Sequence, residues 1–120
     1  MTTPLQIAQT AVKALDSRMA KEIKLLKTEN LTVLANYFVI CTAATTTHIK
    51  TLADEVDKLL TEMGEPPLRR EGYRQGGWVL LDFGCVIVHI FLDETREFYN
   101  LERLWADAEQ MDISDIIQPR

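Results

Sequence analysis

Two short runs, Tyr37-Phe38-Val39-Ile40-Cys41-Thr42 and Val86-Ile87-Val88-His89-Ile90-Phe91, are rich in β-branched and aromatic residues and contain no Asp, Glu, Lys or Arg. Successive side chains of a strand point to opposite sides, so a strand built from either run offers no face suited to water. Each run therefore predicts a central strand covered on both faces, as in sheets flanked by helices. The rest of the chain must supply those layers.

A first amphipathic helix is predicted from Thr3 as N-cap, Pro4 at the first helical position, and Leu5, Ala8, Val12 and Leu15 at helical spacing; it ends near Asp16-Ser17. Lys21 to Leu26 alternates polar and apolar at its start, the pattern of an edge strand with one wet face. After Ala43-Ala44-Thr45-Thr46-Thr47, the stripe Ile49, Leu52, Ala53, Val56, Leu59, Leu60, Met63 marks a second helix, which Gly64 stops. Pro66-Pro67 forces an extended linker, and Leu68 to Gly77 reads as a short strand or loop. Trp78 to Phe83 then pairs with residues 86 to 91 as a hairpin with Gly84 at its tip. Phe98, Leu101, Trp105 and Ala108 keep helical spacing, followed by a short turn at Ile113, Ile116 and Ile117. The order is α, β, β, α, β, β, α, with connections too short for a second domain. It implies a single α/β domain, a mixed sheet flanked by helices in two or three layers.

At 120 residues such a domain buries about two-thirds of its unfolded surface and needs no metal or disulfide staple. Cys41 and Cys85 each sit in an apolar stretch and read as small buried hydrophobes, and His48 and His89 share no ligand spacing with them. No metal and no cofactor are expected. The N-terminus lacks a basic start and apolar run, and no apolar stretch reaches the ~18 residues of a membrane span. A cytoplasmic protein without membrane contact is the expectation. The net charge is −5, and residues 93 to 120 hold all of the excess, with eight acids against Arg96, Arg103 and Arg120. That asymmetry speaks against direct sequence-specific nucleic-acid binding there and suits either a solvated acidic face or a basic partner.

Nucleotide-dependent catalysis needs glycines that let phosphate approach the backbone and carboxylates that hold metal ions. The hairpin offers only Asp82, and the loop before the second helix is Ala-Ala-Thr-Thr-Thr. His89, between Val88 and Ile90, reads as a core histidine hydrogen-bonded to a neighbour, and Cys85 as structural. On the first hairpin strand Trp78, Leu80 and Asp82 point one way and Val79, Leu81 and Phe83 the other, so one face pairs a Trp with a carboxylate. Trp78, Tyr99 and Trp105 lie within an acidic surround, and Trp, Tyr and Arg dominate interface hot spots. The same residues could pack the C-terminal helix onto the sheet, and both readings stay open.

Several ordered motifs complete the picture: Tyr37-Phe38-Val39-Ile40-Cys41-Thr42; His48 leading to Ala53-Asp54-Glu55-Val56; Glu71-Gly72; Trp78 to Gly84; Val86 to Phe91; and Arg96-Glu97-Phe98-Tyr99 with Leu101-Glu102 and Leu104-Trp105. In this order, over nearly the whole chain, they resemble the ribosomal silencing factors, or Iojap family. The resemblance implies a nucleotidyltransferase-like fold without an active site, spanning residues 1–108, and leaves 109–120 as an acidic tail, partly helical or flexible. It implies no enzyme activity. The expected partner is the large ribosomal subunit through its ribosomal protein fourteen, with a possible homodimer, and the expected effect is a steric block of subunit joining that lowers translation when nutrients are scarce. Carried over to this chain, the contact residues would be Trp78, Asp82, Phe83, Glu97, Tyr99, Glu102 and Trp105. Asn36 and Cys85 depart from the family pattern, which usually has Asp at both places. The alternatives are a degenerate domain binding a nucleotide at the Thr45-Thr46-Thr47 helix start, and a role in ribosome assembly.

Overall fold

The computed structural model describes residues 2–33, 35–72 and 77–117, and excludes the side chains of Phe98 and Tyr99. The elements are α1 (Pro4–Ser17), β1 (Lys21–Lys27), β2 (Tyr37–Ala43), α2 (Thr46–Glu62), β3 (Arg69–Glu71), β4 (Trp78–Asp82), β5 (Val86–Leu92), α3 (Asp93–Tyr99), α4 (Leu101–Leu104) and β6 (Glu109–Met111). They form one mixed sheet in the order β3-β4-β5-β2-β1-β6. The two apolar runs are its centre: β2 and β5 pair in parallel, Tyr37 opposite Val86 through Ala43 opposite Leu92. Every other pairing is antiparallel.

Local chemistry sets both long helices. At α1, Thr3 and Gln6 form a reciprocal capping box, which satisfies two otherwise unpaired backbone donors and stabilises the start by about 1 kcal/mol. α2 ends where Gly64 takes φ +86, which lets the Glu65 N–H donate to the Leu60 carbonyl at 2.8 Å. Both helices lie on one face of the sheet. Ala8, Val12 and Leu15 of α1 and Leu52, Val56 and Leu60 of α2 bury against Val39, Cys41, Val79, Leu81, Val88 and Ile90. His48 fastens the helices to each other: its Nδ1 accepts from the Ala44 N–H at 2.9 Å while Nε2 lies 2.8 Å from the Arg18 carbonyl.

The alternate residues of the same strands face the other way. Leu26, Phe38, Ile40 and Phe91 form a second, smaller core, with Trp78, Ile87, Leu101, Trp105 and Ala108 packed on it. The cover here is the segment after β5, which lies over β2 and β1. On the far side of this face Trp78, Leu80, Asp82 and Ile87 remain half-exposed.

Three expectations are corrected. Residues 21–27 are not an edge strand, because β6 pairs with them, Leu25 opposite Met111. Residues 109–120, expected as a partly helical or flexible tail, begin in the sheet: Glu109–Met111 is that strand, and Ile113, which opens the expected short turn, is buried in the main core. The C-terminal helix does not run through Ala108 but breaks at Asn100, whose φ of 45 is left-handed, and stops at Leu104. Beyond the break Trp105 packs edge-on against Phe38.

Gly72 sits where β3 leaves the sheet, at φ +97, and a Cβ there would drive into the Trp78 carbonyl oxygen. Neither the dihedral nor the space admits a side chain. Gly72→Ala should therefore destabilise the fold by about 2 kcal/mol or more, read as a lower denaturation midpoint.

Candidate protein-docking face

The half-exposed side of the sheet is built from β4 and β5. Trp78 lies opposite Phe91 and Leu80 opposite His89 in the antiparallel ladder, so Trp78 and His89 are diagonal neighbours on one face. The Trp78 indole stacks on Phe91, centroids 5.0 Å apart and planes 28° apart, and its Nε1–H donates to His89 Nδ1 at 3.2 Å. His89 meets the edge of Phe38 at 5.1 Å, and Phe38 meets Trp105 at 5.0 Å. One chain of rings thus joins the two tryptophans across the sheet. Glu71, Gly72, Trp78 and Leu80 line a cleft of about 140 Å³ beside the indole.

The expectation of a core histidine bonded to a neighbour is met. His89 is 4% exposed, and burial lowers its imidazole from 6.5 to about 4. The rings packed on it, of Trp78, Phe38 and Phe91, carry no charge that would favour the imidazolium.

Among the expected contact residues, Trp78 and Trp105 are brought onto this face, both half-buried. Phe83 is not: it is 9% exposed and packs in the main core on the opposite side. Its strand parity puts it with Val79 and Leu81, so it anchors the hairpin and cannot share a surface with Trp78. Asp82 is on the right face but engaged internally. Its Oδ1 accepts the Gly84 N–H at 2.7 Å, closing the turn, and its Oδ2 accepts from Arg69 at 3.0 Å. The side chain of Tyr99 lies outside the described residues.

The acids divide in the same way. Arg96, 7% exposed, donates from Nε to Glu102 Oε1 at 2.7 Å and from one terminal nitrogen to the Glu22 carbonyl and Thr42 Oγ1 at 2.9 and 2.8 Å. Lys24 takes the other Glu102 oxygen at 2.7 Å. The Arg96 hydrogen bond, helped by Lys24, holds the Glu102 carboxyl below the usual range. Glu102 is thus neutralised from within, as part of the clamp that ties α3 and α4 to β1 and β2. Glu97 is exposed and lines a cleft with Glu22, Asp93 and Asn100. Sequence reasoning counted Arg96 as a charge and as part of a family motif; its burial was not foreseen, because besides Glu102 the groups that receive it lie 54 and 74 residues away.

The positions departing from the family pattern meet at the hairpin tip. The Cys85 carbonyl accepts the Asn36 N–H at 2.7 Å, and the Asn36 amide donates to Glu29 at 3.1 Å. An Asp at 36 could not donate that second bond. At the start of α2, the Ala44 N–H is taken by His48 and the His48 N–H by Thr45 Oγ1. Two backbone donors that a phosphate would use are already occupied, which weighs against the nucleotide reading.

Residues 2–120 match the family described as Ribosomal silencing factor during starvation. The chain belongs to the ribosomal silencing factor family. The ribosomal silencing factor RsfS of Halalkalibacterium halodurans is 36% identical over 112 residues, 93% of this chain and 96% of its own length. A crystal structure of a protein from Chromobacterium violaceum superimposes with a TM-score of 0.85 at 32% identity, covering 94% of this chain and 93% of that one. The Mus musculus protein named Mitochondrial assembly of ribosomal large subunit protein 1 is 30% identical over 98 residues, 79% of this chain and 43% of its own length. The silencing-factor match runs through β6 and past it, in keeping with the place of that strand in the sheet. Among the described residues no helix is long and apolar enough to cross a membrane.

The buried histidine gives this family member a specific acid sensitivity. The unfolded chain binds a proton at His89 near pH 6.5 and the folded one only near pH 4, so the unfolded state holds more protons between the two. Stability from the neutral ring is fully present above about pH 6.5 and is lost as pH falls towards 4, by about 3 kcal/mol in all. Denaturation midpoints measured from pH 7 to pH 4 should fall accordingly, and should fall much less in His89→Phe.

Proposed function

We propose that this chain silences translation by binding the large ribosomal subunit through its ribosomal protein fourteen, blocking the joining of the small subunit when nutrients are limiting. The reading rests on the half-exposed aromatic face within a chain of the silencing-factor family. Trp78 and Trp105 stand on one side of the sheet, Leu80 and Ile87 are half-exposed beside them, and Leu104, 74% exposed, follows from α4. Half-buried tryptophans on a rigid sheet are suitable interface anchors, since little side-chain freedom remains to be lost on binding. The exposed Glu97 adds a charge of the sign that a basic ribosomal protein would attract.

The mechanism is steric and uses no cofactor. The chain acts as a repressor and not as an enzyme, in the cytoplasm where ribosomes are found. A role in assembling the large subunit is the second reading, favoured by the name of the mouse relative. The two differ in substrate: a silencing factor binds finished large subunits, an assembly factor prefers immature ones. A second copy of the chain docked through the same face would compete with the ribosome.

Co-sedimentation should find the chain on isolated large subunits and not on joined ribosomes; binding to neither would refute the proposal. Trp78→Ala should weaken binding to large subunits by about 2 kcal/mol, roughly 30-fold, without unfolding the chain. Glu97→Gln should slow association and flatten its salt dependence, whereas Glu102→Gln should first lower the denaturation midpoint, because it opens the Arg96 clamp. Equal kinetic effects of the two at unchanged stability would contradict this division of the acids.

A further inference from the structure

His89 sits in the core with one of its two ring nitrogens satisfied. Nδ1 accepts the Trp78 indole N–H, so the proton of the neutral ring is on Nε2. Nε2 is buried with no hydrogen-bond partner among the described residues. A buried donor without an acceptor costs roughly 1–3 kcal/mol, and one neutral hydrogen bond returns only about 1 kcal/mol. The surroundings are the rings of Phe38, Trp78 and Phe91, where an apolar side chain would sit without that cost. Imidazole at this position therefore weakens the fold in exchange for one interaction, the bond to Trp78.

That bond gives the indole a defined direction. Rotation about the bond joining the indole to its Cβ is broad and roughly two-fold, so the ring has two flipped orientations. In the orientation observed the indole stacks on Phe91. The Nε1–H to Nδ1 bond is made in the orientation observed, and it sets which edge of the half-exposed indole meets an incoming surface. We propose that His89 is a positioning residue, kept at a cost to fold stability, that fixes the Trp78 indole in the orientation that docks on the large subunit. This rests on the docking reading above and adds to it a residue that touches no partner.

The test uses the full chain with three substitutions. His89→Phe and His89→Leu remove both the acceptor and the unpartnered donor, and His89→Asn restores an acceptor oxygen near the place of Nδ1. At least one apolar variant should denature at the same or a higher midpoint than wild type while binding large subunits about tenfold more weakly. His89→Asn should recover most of the binding even if it is less stable. The ¹⁵N-labelled indole N–H resonance of Trp78 should move in the apolar variants and return towards the wild-type position in His89→Asn. A merely structural histidine would give the opposite pattern: both apolar variants less stable, with binding lost only in proportion. That result, undiminished binding by a folded apolar variant, or an indole resonance indifferent to position 89 overturns the assignment. A wild-type chain that binds no large subunits overturns the docking reading itself, and is distinguished from failure of the His89 assignment by the wild-type control.

Discussion

The parallel pairing of β2 with β5 is the constraint from which the rest of the structure follows. Both strands are apolar on both sides, and placed next to each other they make a sheet centre that must be kept dry above and below. Two long helices, α1 and α2, cover one face completely. The other face is left to the short segment after β5, which reaches over β2 and β1 but leaves the β4 side open. Aromatic residues bridge that incomplete cover, and Trp78 lies where it ends. The half-exposed aromatic face is thus a consequence of covering a two-sided sheet with too little chain.

Holding that short cover in place falls to a buried cation. Arg96 reaches from α3 to the β1 backbone, the Thr42 hydroxyl and Glu102, so a single guanidinium fastens α3 and the turn into α4 to the sheet. Removing one partner of such a buried pair leaves an uncompensated charge, which costs far more than the pair contributes when intact. Two of the acids expected at a contact are engaged internally. Glu102 and Asp82 each serve an internal cation, while Glu97 faces solvent. Of the eight acids in residues 93 to 120, Glu102 is taken up internally by Arg96 and Lys24, while Asp93, Glu94, Glu97, Asp107, Glu109, Asp112 and Asp115 are exposed.

Both long helices were legible in the sequence, with the Thr3 cap of α1 and the Gly64 stop of α2, because capping and 3.6-residue periodicity are local. So were the two central strands and the alternation of β4, which puts Trp78, Leu80 and Asp82 on one face. The short elements were not. β6 has three residues, and only β1, more than eighty residues earlier in the chain, makes Glu109–Met111 a strand. The break at Asn100 was hidden because Phe98, Leu101, Trp105 and Ala108 keep a helical spacing even though no single helix carries them. Phe83 was assigned to the same contact as Trp78 despite its opposite parity, and the structure sides with parity.

From its residues alone the chain could be read as a single α/β domain with a two-sided sheet, since apolar pattern and turns are properties of neighbouring residues, and its ordered motifs resemble those of the ribosomal silencing factors. Which side chains remain available to a partner was settled only in three dimensions. Burial of Phe83, internal pairing of Glu102 and Asp82, and the hydrogen bond from Trp78 to His89 all join groups that the chain brings together after folding. Exposure and pairing depend on what lies across the sheet, and that information is not local.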